Sequence, residues 1–84
     1  MTDRELKLYR IMFSDFWNCF YRHRDLKNTD EWWSQFIAES KGLYEKHKQT
    51  DEKVAHTLCV MIMQIIQRCV LERRKNEEHA DRSE

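Results

Sequence analysis

A chain of 84 residues with no proline and a single glycine, Gly42, has almost no means of making tight turns. Strand-rich domains of this size need several of them, and turns draw on Gly and Pro for their special backbone angles. The expected fold class is therefore all-α, with short polar connections. At 40% hydrophobic and 12% aromatic, the chain has the composition of a packed domain. Its length sets one domain, near the lower end of those that fold alone.

Three helices are expected, near residues 3–25, 29–48 and 51–77, in a three-helix antiparallel bundle because the connections are short. The first opens at Thr2 with Glu5 three residues on, the capping-box pattern. Leu6, Tyr9, Phe13, Phe16, Trp17 and Phe20 recur at helical spacing and read as its inner face. Leu8, Met12 and Cys19 form a second, weaker stripe. The second helix begins in Asn28-Thr29-Asp30-Glu31, where Asn28 paired with Glu31, or Thr29, can cap. Its stripe is Trp32, Phe36, Ile37, Leu43 and Tyr44, continued by Ser40 and His47. Gly42 projects opposite that stripe, so the helix is expected to run through it at a cost of ~1 kcal/mol relative to alanine; an interruption there is the alternative. The third helix starts at Thr50-Asp51-Glu52 and closes on basic residues that complement the helix dipole. The domain is expected to span 1–77, with 78–84 a polar C-terminal tail.

The stretch 54–71, VAHTLCVMIMQIIQRCVL, is more apolar than so small a domain needs. Val54, Leu58, Met61, Ile62, Ile65, Ile66 and Cys69 share one helical face, whereas Val60, Met63 and Leu71 fall outside it. A helix that is apolar nearly all round must be covered on all sides, which implies a homodimer or higher oligomer through the third helix. Trp32 and Trp33 point about 100° apart on a helix, so one of them is expected at a rim, where Trp is a common binding anchor. Trp32, Trp33, Val60, Met63 and Leu71 are thus the expected protein-interaction residues. His56, Gln64, Gln67 and Arg68 interrupt the stretch and argue against a membrane span.

Fifteen acidic and fifteen basic side chains cancel. A dedicated nucleic-acid binder carries a basic excess, and near-neutral proteins tend to self-associate. Two basic clusters remain: Arg22, Arg24 and Lys27 near the end of the first helix, and Arg73 and Arg74 near the end of the third. A bundle would gather them at one end as a site for phosphate or an acidic partner surface, giving nucleic-acid or phosphorylated-nucleotide binding as the alternative function. The N-terminus MTDRELK has no apolar signal core, and three unclustered cysteines fit reduced thiols in the cytoplasm. Cys19 and His23 are four apart, and Cys59 could approach them, but no zinc-type pairing of ligands is present; no metal and no cofactor are expected. Cys59 with His56 is the best nucleophile–base pair available, and a buried cysteine there is inert. With one glycine there is no phosphate-cradling loop. An enzyme is not expected.

The segments Asp15-Phe16-Trp17-Asn18-Cys19-Phe20-Tyr21, Asn28-Thr29-Asp30-Glu31-Trp32-Trp33 and Gly42-Leu43-Tyr44-Glu45-Lys46-His47, with a looser match at Arg68-Cys69-Val70-Leu71-Glu72-Arg73, resemble small proteins encoded by phages and conjugative elements of Firmicutes. The resemblance covers roughly residues 10–75 and rests on core and capping features. It implies a mobile-element context, in which small helical proteins bind and modulate host or defence proteins, and it carries no common activity onto particular residues. The leading expectation is a non-catalytic protein-interaction module that meets itself, with a host protein as a further partner.

Overall fold

A computed structural model describes residues 1–27 and 29–82, with side chains through Arg74. The described residues hold helices and no strand. The three-helix antiparallel bundle is corrected: the chain forms two helices, α1 (Asp3–Arg22) and α2 (Asp30–Arg82). The connection expected between residues 48 and 51 is reduced to a single non-helical residue inside α2. Helix α2 is 53 residues long and departs from helical geometry at Asp51, whose φ and ψ are −161° and 98°.

The physical reason lies in residues 45–53, which are polar and contain neither Gly nor Pro. Nothing there compels a loop, and one residue in extended conformation suffices to turn the chain. Asp51 supplies its own cap: Oδ1 accepts from the Val54 N–H at 3.1 Å, and Oδ2 accepts from the Tyr9 hydroxyl at 2.6 Å. The first contact satisfies a backbone donor left over by the break.

Around Asp51, α2 doubles back on itself. The Cys59 thiol donates to the Ser40 carbonyl at 3.6 Å, and the Tyr44 hydroxyl donates to Glu52 at 3.4 Å. Helix α1 lies against both stretches. It runs opposite to residues 30–50, where Asp15 meets His47 and His23 meets Phe36. It runs alongside residues 52–74, with Tyr9 at Asp51 and the Leu26 carbonyl accepting from Arg73 at 3.1 Å.

Helix α1 starts as its sequence dictates. Thr2 and Glu5 close a reciprocal capping box, with the Glu5 N–H donating to Thr2 Oγ1 at 3.1 Å. Its inner face is rotated from the expected one: Phe16 is buried and Tyr9 and Phe20 pack on the core as expected, but the rest of the stripe turns outward. Met12, Phe16 and Cys19 are the buried residues of α1, whereas Leu6, Phe13 and Trp17 are exposed. The line 12–16–19 fits into the furrow between the two stretches of α2, with the Phe16 ring at its centre and the slimmer Met12 and Cys19 on either side. The larger aromatic stripe lies one ridge over.

In α2 the cap falls to Thr29, whose Oγ1 accepts from the Trp32 N–H at 3.2 Å; Asn28 lies outside the described residues. Trp32, Phe36, Ser40 and His47 are buried along the expected stripe. The helix runs through Gly42, and a Cβ there would meet nothing within 4 Å. From the far stretch, Ala55, Leu58, Cys59, Ile62, Ile66 and Val70 complete the core. Met61 and Cys69, expected on the inner face, are exposed instead. Helix α2 continues to Arg82, so most of the stretch expected as a tail is helical; residues 83 and 84 lie outside the described ones.

Candidate functional site

The rotation of α1 creates the most distinctive surface of the molecule. Phe13, Phe16, Trp17 and Phe20 from α1 face Leu58, Met61, Ile62 and Ile65 from α2 across an open groove of about 410 Å³. Phe16, Leu58 and Ile62 form its floor, and the walls stand in solvent. Phe13 is 51% exposed, Trp17 60% and Met61 44%, and Tyr21, 50% exposed, extends the rim past Trp17. Trp17 stacks loosely on Phe20 and Tyr21, with ring centroids 5.9 and 6.2 Å away, so the rim is a connected aromatic ridge. Four side chains of this size, each about half exposed at roughly 150–250 Å² apiece, leave on the order of 400 Å² of apolar surface in one patch. That equals the largest patch of a typical monomer, and such patches are often functional.

The interaction residues expected from sequence are placed apart from this groove. Trp32 is buried, its ring 5.0 Å from Trp33 and 5.8 Å from Phe36. Trp33 and Met63 do come together, half-buried, in a second groove of about 370 Å³ with Ile37 and Gln67. Val60 lines a more open depression with His56, Gln64 and Met61, on the far side of the Met61 wall, and Leu71 stands exposed. The residues missed were Phe13, Trp17 and Met61. The surplus of large rings on α1 was visible in the sequence, but that stripe was assigned to the core because it outnumbers its neighbour.

The basic clusters do approach each other, as the Arg73–Leu26 contact shows. Part of that charge is engaged. Arg22 is paired with Glu39, and Arg24 donates to the Tyr21 carbonyl at 2.9 Å while lying over the Tyr21 ring at 3.9 Å. Arg74 and Lys27 are exposed.

Two buried polar groups stabilise the helix contacts. The His47 ring donates from Nε2 to Asp15 at 2.7 Å, and Lys46 reaches the same oxygen at 2.9 Å. Burial raises the Asp15 carboxyl, but the hydrogen bonds from Lys46 and His47 outweigh it and hold the group below the ordinary carboxylate value. Ser40 sits between the thiols. Its hydroxyl donates to the Phe36 carbonyl at 2.8 Å, so its oxygen is left to accept from Cys19 at 3.9 Å. Burial pushes both the Cys19 and Cys59 thiols up. His56 is exposed and packs its ring on Tyr44, at 6.2 Å, while Cys59 is buried and donates to a carbonyl. The pair does not form a nucleophile–base arrangement.

The fold also supplies what sequence spacing concealed. Glu39 of α2 comes to Cys19 and His23, and one ligand atom from each of the three lies within 4.8 Å of the others.

No protein family, curated protein or solved structure matches the chain. Helix α2 has one property that bears on environment. Its segment Asp30–Arg74 holds an 18-residue window of mean hydropathy 1.6, long and apolar enough to cross a membrane by length and composition. In this fold 33% of the window is buried, and a soluble core helix passes the same test.

Proposed function

We propose that this protein is a non-catalytic interaction module that docks through the groove of Phe13, Trp17 and Met61, and that its occupant is a second copy of the same chain. The observation that carries the reading is the continuous apolar patch, whose aromatic ridge rises from a floor already packed into the core. Two such patches related by a two-fold axis bury roughly 800 Å² of apolar surface between them. With a polar rim, the contact enters the ~1,200 Å² class of specific interfaces. Equal numbers of acids and bases leave no net repulsion between copies.

Several features favour docking in water over insertion into a membrane. His56, Gln64, Gln67 and Arg68 interrupt the apolar stretch, and its residues Leu58, Cys59, Ile62 and Ile66 are committed to the core. Three free cysteines suit a reducing cytoplasm. The nucleic-acid reading draws less support, since Arg22 and Arg24 are held by Glu39 and Tyr21. The resemblance to phage and conjugative-element proteins supports a mobile-element setting.

Light scattering across low to high micromolar protein tests the proposal. A mass rising toward twice that of one chain supports it. A strict monomer at high micromolar concentration overturns it.

A further inference from the structure

Cys19, His23 and Glu39 meet where the end of α1 crosses the first stretch of α2. We propose that these three side chains form a binding site for a divalent transition metal of the zinc class, through Cys19 Sγ, His23 Nε2 and Glu39 Oε2.

The geometry of His23 argues for it first. Its Nδ1 donates to the Cys19 carbonyl at 2.8 Å, which fixes the ring and directs Nε2 toward Glu39 Oε2 at 3.7 Å. With the proton on Nδ1, Nε2 and the carboxylate oxygen are two lone pairs facing each other. At 3.7 Å they make no N–H···O bond, so the space between them is open to a cation. That separation, 3.7 Å, lies within a few tenths of an ångström of the spacing of a nitrogen and an oxygen ligand on one ion, roughly 3.3–3.5 Å for bonds of ~2.0–2.2 Å in a tetrahedral shell. An imidazole anchored by its other nitrogen on a backbone carbonyl is also how metal-binding histidines are usually held.

The remaining groups fit around that axis. Glu39 divides its oxygens, with Oε1 paired to Arg22 and Oε2 facing His23, so it can bind a metal without releasing the arginine. Trp32 and Phe36 pack on the His23 ring with centroids 5.6 and 4.9 Å away, which holds the imidazole in place. Cys19 is four residues before His23, on the same helical face, and its thiol gives up its proton to solvent on binding. Thiolate, imidazole and carboxylate together select zinc-like ions over magnesium or calcium. The ligand atoms lie within 4.8 Å of one another, so the widest gap must close by about 1 Å; His23 is anchored by its backbone and ring, and the movement falls to the partly exposed Glu39 side chain and the Cys19 rotamer. Three protein ligands leave a fourth position for water. A bound ion would clip α1 to α2 at the end remote from Asp51.

The test titrates reduced, metal-free protein with Co²⁺ and follows its absorption. The expected result is one equivalent bound, with a thiolate-to-cobalt charge-transfer band and the strong visible bands of four-coordinate cobalt, all abolished by Zn²⁺. Cys19→Ser removes the charge-transfer band. Glu39→Gln, at a partly exposed position, weakens binding by more than about tenfold, whereas Cys69→Ser changes neither. Circular dichroism checks that Cys19→Ser stays folded; if it unfolds, Glu39→Gln and Cys69→Ser decide. No charge-transfer band in the wild type, a band that is lost in Cys69→Ser, one that survives in folded Cys19→Ser, or unchanged affinity in Glu39→Gln overturns the proposal.

Discussion

The rotated face of α1 makes a sharp prediction about two adjacent residues. Met12 is fully buried, so Met12→Ala leaves a cavity that close-packed neighbours fill only in part. Such truncations cost ~2–5 kcal/mol. A chain of this length has on the order of 4–13 kcal/mol in total, and each kcal/mol moves the melting temperature by ~4–8 °C. A cost of ~3 kcal/mol therefore lowers it by roughly 12–24 °C. Phe13 is 51% exposed. Half of its burial value is about 1 kcal/mol, and an open site adds no cavity term. Phe13→Ala should thus lower the melting temperature by about 4–8 °C. The assay is thermal unfolding by circular dichroism, with both substitutions made in a Trp17→Glu background so that association does not add a concentration-dependent term. If Phe13→Ala costs as much as Met12→Ala, the aromatic stripe is the true inner face and the groove does not exist.

Three further outcomes follow from the same contacts. Gly42→Ala meets open space on a helix and should raise stability by up to ~1 kcal/mol in urea unfolding; a loss would mean that α2 does not run through this position. Asp15 has a folded pKa below its unfolded value, so its stabilisation is fully present above about pH 4 and is lost as the pH falls through the depressed value. Asp15→Asn should flatten that part of the pH–stability curve, and an unchanged slope would remove the Asp15–His47 contact from the account. Native thiol labelling should show one fast cysteine, Cys69, and two slow ones, since Cys19 and Cys59 are buried with their thiols pushed up. Fast labelling of Cys59 would reopen the case for a reactive thiol.

The helical class, the cap at Thr2 and the stripe Trp32–Phe36–Ser40–His47 were legible in the sequence, because each depends on local chemistry or on spacing along one helix. The number of helices was not. Thr50-Asp51-Glu52 carries a true cap, but a cap signal does not say how many residues separate it from the preceding helix, and here none leave the helical run except Asp51. Helix α1 failed for a different reason. Two apolar stripes overlap on one furrow, and the buried line takes Phe16 from the larger and Met12 and Cys19 from the smaller, leaving Phe13 and Trp17 outside. Which residues go inside is a property of the packed neighbours. The groove was hidden by the same error, since its walls had been assigned to the core. The meeting of Glu39 with Cys19 and His23 depends on the crossing of two helices, which no spacing within either one reveals.

The central claim is that copies of this chain meet through the aromatic groove. The most direct measurement is the sedimentation-equilibrium mass of Trp17→Glu beside that of Leu71→Glu, both exposed positions on the folded chain. Trp17, 60% exposed, offers roughly 150 Å² per copy, or ~4 kcal/mol at ~25 cal/mol per Å². Its loss should weaken association by at least about 100-fold, even after the costs of ordering an interface. The account predicts a monomer for Trp17→Glu and a wild-type dimer for Leu71→Glu. A dimer that survives Trp17→Glu and is broken by Leu71→Glu would contradict it.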